Sequence, residues 1–121
     1  MKQKVHSVSY LAKAEFELKS GVYDLVAIPS GAEVVKVSLE VVGNVSVGSI
    51  SVGFKGETNK TYFLDLDDLN NNKIATSARD YTATSNKVMV AEVKNAIKNE
   101  TDSKGILRVL YFLPSVIEVE Y

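Results

Sequence analysis

Hydrophobic and polar residues alternate along much of this chain. In Glu33–Val42, every second residue from Val35 to Val41 is apolar and the residues between them are polar. A period of two places all the apolar side chains on one side of an extended backbone. Valine dominates the run, and β-branched residues suit a pleated surface better than a helix. The pattern therefore predicts a half-buried β-strand.

The following run, Val45–Phe54, also alternates, but its phase changes at Gly48 and Ser49. One extra residue in a strand produces such a change, and glycine accommodates it, so we expect a β-bulge there. Gly43 and Asn44 separate the two runs and are typical tight-turn residues. We therefore interpret Glu33–Val42 and Val45–Phe54 as a hairpin.

The same test predicts about eight short strands separated by turn residues. Lys87–Lys98 fits both periods, and we assign a strand to Lys87–Val93 and a single helical turn to Lys94–Lys98. Short, regularly spaced strands without helices between them indicate an all-β antiparallel sandwich of jelly-roll or Greek-key type, with at most one or two short helical turns. The predicted strands are Ala12–Leu18, Val22–Ile28, Glu33–Val42, Val45–Phe54, Thr61–Leu66, Lys87–Val93, Gly105–Leu113 and Val116–Tyr121, the last expected to continue the same sheet edge.

Length and composition limit the domain organisation and the partners. The 121 residues, 45% of them hydrophobic, suit one domain over residues 1–121, with residues 1–8 expected to be flexible. The net charge of −1 argues against nucleic acid as a partner. No apolar run is long enough for a signal peptide or a membrane span. Cysteine is absent, which excludes disulfides and thiolate sites.

The densest group of oxygen ligands lies between Asp65 and Asn72. Asp65, Asp67, Asp68 and Asn70 are the candidate calcium ligands, because hard cations prefer carboxylate and amide oxygens. The spacing does not match an EF-hand loop. Asp and Asn are also ordinary turn residues, and we favour a solvated turn without a bound metal.

Catalytic groups are scarce. His6 is the sole imidazole, so a serine-hydrolase triad would have to use it, and no nucleophile-elbow motif accompanies it. Glu15 and Glu17, or Asp65 and Asp67, could form a glycosidase pair, but the glutamates lie on the charged side of a predicted strand, where nothing raises the pKa of a catalytic acid. We expect no enzyme, no cofactor and no catalytic residue.

The tyrosines suggest a second type of function. They could form a carbohydrate-stacking platform or a protein interface, although most aromatic residues of a sandwich simply pack in it. The six are Tyr10, Tyr23, Tyr62, Tyr81, Tyr111 and Tyr121.

Two segments resemble small bacteriophage virion proteins, namely head-decoration, head-fibre or tail-associated β-sandwich subunits. In Gly21–Val42, a strand, a short turn at Pro29–Gly31 and a valine-rich strand follow one another. Lys104–Leu113 resembles the closing strand of such subunits, although the chain here continues past Pro114. The resemblance implies a β-sandwich without catalytic or cofactor residues.

We therefore expect a non-enzymatic virion structural protein of a phage or prophage. It would assemble in the bacterial cytoplasm as a homo-oligomer such as a trimer, and would contact other virion proteins through strand edges and an apolar or tyrosine patch. The alternative is a carbohydrate- or ligand-binding sandwich of bacterial or phage origin, for which a glycan would be the partner.

Overall fold

In a computed structural model, the chain is built from antiparallel β-strands. The structure describes residues 1–58, 60–98 and 103–120. These ranges contain no helix of the length and apolar character that a membrane crossing needs. The strands are β1 Lys2–His6, β2 Ser9–Glu17, β3 Gly21–Ile28, β4 Glu33–Val42, β5 Val45–Phe54, β6 Leu64–Leu66, β7 Ile74–Ser77, β8 Tyr81–Thr82, β9 Lys87–Lys98, β10 Lys104–Phe112 and β11 Val116–Glu120.

Two sheets enclose the hydrophobic core. The first sheet has the order β2-β10-β4-β7, with β8 also paired to β4, and the second has the order β3-β9-β5-β6. Apolar residues from both sheets form one buried cluster between them. The prediction of an all-β antiparallel sandwich is confirmed. The largest fully buried side chains in the cluster are Leu18, Ile28, Leu39, Ile50, Leu69, Met89 and Leu107.

A bulge in β4 changes the predicted faces of that strand. Leu110 of β10 pairs with Lys36, and the next residue, Tyr111, pairs with Val34, so Val35 is the extra residue. Val34 is fully buried, whereas Val35 is only half-buried. Strict alternation predicts that Val35 points into the core, and this prediction is wrong. The bulge shifts the alternation by one residue, so that Val34 instead of Val35 points into the core.

Gly43 and Asn44 join strands of different sheets, so the predicted hairpin is wrong. β4 pairs with strands of the first sheet and β5 with strands of the second. Gly43 has a φ of 98°, and a Cβ atom there would lie 2.7 Å from the Cα of Ser103. The chain turns a corner against Ser103, and this corner needs glycine as much as a hairpin would.

The pairing of β5 with β9 is irregular at Gly48, but the extra residue there belongs to β9, so the predicted extra residue of β5 at Gly48 and Ser49 is wrong. The extra residue of β5 is Ser46, between the pairs Val45–Lys98 and Val47–Ile97. Val47 pairs with Ile97 and Ser49 with Lys94, so two residues of β9 face Gly48 alone. One of the two, Asn95, has a φ of 56°, the left-handed conformation that asparagine tolerates. β9 continues through this irregularity to Lys98, and the helical turn predicted over Lys94–Lys98 is therefore wrong.

Eleven strands are present among the described residues, more than the eight predicted. β7 and β8 pair along the same edge of β4, at Val37–Glu40 and Glu33–Val34, and together occupy one strand position. β1 pairs with β11 alone in a separate two-stranded sheet, so the expectation that Val116–Tyr121 continues a sheet edge of the sandwich is wrong. The expectation that residues 1–8 are flexible stays a prediction. Tyr121 lies outside the described residues.

Candidate assembly surface

β1 and β11 form a ribbon that stands apart from the sandwich. Lys2 lies opposite Glu120 at one end of this ribbon, and His6 lies opposite Val116 at the other. Most of its side chains are exposed, and its strands pack mainly against each other. A two-stranded ribbon is only marginally stable in water by itself. Contacts beyond this chain are therefore the expected source of its stability.

The two faces of the ribbon differ in chemistry. Directly opposed residues of antiparallel strands project to the same face. Val5, Ile117 and Val119 share one face with the polar Gln3, and the exposures of Val5 and Ile117 are 38% and 54%. The charged residues Lys2, Lys4, Glu118 and Glu120 lie on the other face, together with the pair His6 and Val116. The ribbon thus presents a mostly apolar face on which Val5 and Ile117 are exposed and Val119 is half-buried.

Hydrogen bonds at the base of the ribbon connect it to the first sheet. The Nδ1 atom of His6 lies 2.9 Å from the carbonyl oxygen of Leu113. A carbonyl can only accept, so this nitrogen carries the proton. The backbone N–H of Leu113 donates to the carbonyl of Val8 over 2.8 Å. Pro114 lies against Gly31, where an added Cβ would approach the proline Cβ to 2.8 Å. These contacts set the direction in which the ribbon leaves the sandwich.

A groove of about 500 Å³ lies beside this base. It places His6 near a hydroxyl and two carboxylates, the groups that a hydrolase would need. The Oγ1 atom of Thr82 lies 2.8 and 2.9 Å from the two carboxylate oxygens of Glu33. The described hydrogen bond of His6 goes instead to a backbone carbonyl, so the described contacts do not form a triad. The groove is lined by His6, Glu33, Val35, Asp80, Thr82 and Phe112.

The outer face of the first sheet combines apolar and paired charged side chains. Leu11 on β2 and Ile74 on β7 are 64% and 70% exposed. Between them, Arg108 donates to Glu40 over 3.0 Å. Apolar side chains around a charged pair are typical of protein interfaces with a polar component. This face is a second surface suited to contact with another protein.

The calcium candidates form a turn held by its own side chains. Asp68 accepts hydrogen bonds from the backbone N–H of Asn70 at 3.2 Å and from Nδ2 of Asn71 at 2.8 Å. Asp65 is exposed on β6, and Asp67 is exposed directly after it. The described residues include no group of three or more acidic, histidine or cysteine side chains placed to hold a metal. The hydrogen bonds are those of an aspartate-initiated turn. The solvated turn without a bound metal stays a prediction.

The carboxylates considered for glycoside hydrolysis are divided between surface ion pairs. Glu15 lies 3.2 Å from Lys104, and Glu17 lies 3.2 Å from Lys19. Both glutamate side chains are at least half exposed. Asp65 lies on the second sheet, whereas the two glutamates lie on the first. The structure therefore does not combine these acids in one enclosed site.

The tyrosines are distributed over several parts of the fold. Tyr10 stacks edge-on against Tyr111, and the hydroxyl of Tyr23 donates to the carbonyl of Lys19. Tyr62 and Tyr81 pack with Phe54 and Phe63 at one end of the sandwich. Arg79 covers the Tyr62 ring at 3.9 Å. The described tyrosines therefore form no single platform for a sugar, and the glycan alternative remains a prediction.

Sequence reasoning did not identify the ribbon or the groove. β1 is short and polar, and its partner lies at the other end of the chain. The available signals were the alternation of Val5 with Lys4 and His6, and that of Ile117 and Val119 with Glu118 and Glu120. Two such short patterns do not reveal that the segments pair with each other.

Comparison with solved structures finds chains from two phage capsids. A chain of the acid-stable capsid of Helicobacter pylori bacteriophage KHP30 is 71% identical, with a TM-score of 0.92, and the match covers 100% of both chains. A chain of the cyanophage Pam1 capsid asymmetric unit is 18% identical, with a TM-score of 0.69, over 88% of this chain and 85% of that chain. At that identity the Pam1 match shows the fold alone. No protein-family model and no curated protein sequence matches.

Proposed function

This chain belongs to a family of bacteriophage capsid proteins, and on that premise we propose that it is a decoration subunit on the outside of the phage head. It is a structural component of the virion, and its partners include other virion proteins. The single observation that carries the proposal is the 71% identity to the KHP30 capsid chain over the full length of both chains. The capsid origin of this match favours the head over the tail.

The connectivity supports a jelly roll, a sandwich type used by viral capsid proteins. The four strands β2 to β5 alternate between the two sheets, with β2 and β4 in the first and β3 and β5 in the second. β10 then lies between β2 and β4, and β9 lies between β3 and β5. With β7 and β8 counted as one interrupted strand, each sheet has four positions. A jelly roll likewise has eight strands in two sheets, which supports this sandwich type for the chain.

A non-enzymatic role agrees with the chemistry of the described surfaces. In the groove, the Thr82 hydroxyl donates to the Glu33 carboxylate, and the His6 imidazole donates to the backbone carbonyl of Leu113. The apolar ribbon face and the outer face of the first sheet are instead suited to protein contacts. Assembly in the bacterial cytoplasm is part of the proposal.

The test is addition of the purified protein to heads assembled without it. Heads produced by a phage deleted for this gene are mixed with the protein and sedimented through a density gradient. Cosedimentation with heads, saturating at a fixed copy number, is expected. Separated tails from the same phage are the matched control. Binding to tails alone, or to neither particle, would contradict the decoration role.

A further inference from the structure

The ribbon has two edges, and each is the outer side of one of its strands. On β1 and β11, the backbone groups that point away from the partner strand meet no other strand of the described chain. Open strand edges of this kind pair readily with another chain. The ribbon therefore has two places at which a further strand can be added, one along β1 and one along β11.

Charge decides which strand fits each edge. On the charged face, β1 carries Lys2 and Lys4, whereas β11 carries Glu118 and Glu120. Pairing β1 with a second β1 would set lysine beside lysine, and pairing β11 with a second β11 would set glutamate beside glutamate. Like charges on neighbouring strands are destabilising. The β1 edge is therefore complementary to the β11 edge of another copy and not to itself.

We propose that ribbons of neighbouring copies join edge to edge, β1 of one copy against β11 of the next, in a closed ring. The proposal rests on the proposed function, which supplies many copies of the chain in one virion. A contact between two different edges is heterologous, and it forms a ring when the rotation closes. The partner of each open edge is a second copy of this chain, because one ribbon carries both the lysine-bearing edge and the glutamate-bearing edge, and both strands have five residues.

The apolar face gives the ring its interior. Val5, Ile117 and Val119 all lie on the face opposite the charges. When ribbons curve into a ring with this face inward, the apolar side chains of successive copies meet at the axis and are removed from water. The lysines and glutamates then alternate around the outside. The ring also leaves no strand edge of the ribbon open.

Cysteine cross-linking tests the edge pairing, since the natural chain has no cysteine. Lys4 and Glu118 are the central residues of β1 and β11 and lie opposite each other. Lys4→Cys and Glu118→Cys chains with different tags are coexpressed and oxidised. We expect a covalent dimer that contains one chain of each kind, and none from either variant alone. Dimers of Lys4→Cys alone would overturn the heterologous pairing. An oligomer without cross-links in any combination would overturn the ribbon contact.

Removal of the apolar face tests the interior of the ring. Ile117→Ser is expected to weaken association about tenfold or more, measured by light scattering over a concentration series. Val22→Ser is the matched control, because Val22 is also β-branched and 48% exposed, close to the 54% of Ile117, but lies on β3 of the second sheet, outside both proposed contact surfaces. Thermal unfolding checks that the sandwich is intact in both variants. An unchanged oligomer in Ile117→Ser, or a monomeric natural chain at all concentrations, would overturn the ring. Either result leaves the capsid role to be judged by binding to heads.

Discussion

Gly105 lies where the backbone of β10 passes directly beneath an aromatic ring. It is opposite Phe16 of β2 in the register, and both residues are buried. A Cβ atom added to Gly105 would lie 2.6 Å from Cε1 of Phe16 and 2.7 Å from Cε2. Carbon atoms in good contact are separated by about 3.5–4.0 Å, so the ring would have to move by about 1 Å or more. Phe16 also packs against Tyr23, with ring centroids 5.6 Å apart, which opposes that movement.

We therefore expect Gly105→Ala to destabilise the protein by overpacking. The cost should be about 2 kcal/mol, within the range for extra methyl groups in packed cores. That corresponds to a fall in Tm of about 8 °C for a domain of this size. Urea unfolding followed by circular dichroism measures the free energy of unfolding directly.

A double-mutant cycle separates the ring contact from other effects of alanine. In a Phe16→Ala background the space is open, and Gly105→Ala should cost about 0.5 kcal/mol or less, or stabilise the strand slightly. Gly56→Ala is the control, because no heavy atom lies within 4 Å of its added Cβ while its φ is 88°. Its cost of about 1 kcal/mol comes from the backbone and should not change with Phe16→Ala. An equal cost of Gly105→Ala in both backgrounds would refute the reasoning.

Three further outcomes are expected. Leu107→Ala should lower the free energy of unfolding by about 3 kcal/mol in urea melts, because Leu107 is fully buried at the centre of the first sheet. Asp68→Ala should lower the free energy of unfolding by about 1 kcal/mol in urea melts, because it removes the acceptor of the Asn70 and Asn71 hydrogen bonds. Millimolar calcium should leave the Tm of the natural chain unchanged, and a rise in Tm with calcium would instead support a metal site in this turn. The Tm values measured at pH 3 and at pH 7 in 0.15 M salt should differ by less than about 10 °C. The reason is that no carboxylate is buried among the described residues, where Ser103 is the one buried polar residue. A chain that is unfolded at pH 3 at room temperature would contradict this.

Alternation predicted which segments are strands, but not their partners. Glu33–Val42 and Val45–Phe54 were both correctly assigned as strands, and yet the hairpin between them was wrong. The period of two defines the faces of a strand and contains no information on which edge it pairs with. A turn that contains glycine can connect two strands of one sheet or two strands of different sheets. Gly43 makes the second kind of connection, and there it packs against Ser103, sixty residues later in the chain. Such contacts depend on the whole fold.

The functional prediction had a different basis. The resemblance to small bacteriophage virion proteins, based on Gly21–Val42 and Lys104–Leu113, is confirmed. Without that resemblance, the strand pattern supported a sandwich but no specific function. The ribbon could not be predicted, because β1 is short and polar and pairs with a strand more than 100 residues away. Local patterns become weak when both partners are short and exposed.

The position of β10 in the first sheet has a consequence for synthesis. β10 lies between β2 and β4, and β9 likewise separates β3 from β5. While the ribosome is still translating the first 86 residues, before Lys87 begins β9, neither sheet has its central strand. Before then, only the pairs of β4 with β7 and β8 and of β5 with β6 can form, whereas β2 and β3 have no partner in their sheets among the described strands. Long-range pairing of this kind slows folding and exposes edges to aggregation. We therefore expect both sheets to be completed late, after β9 and β10 have left the ribosome.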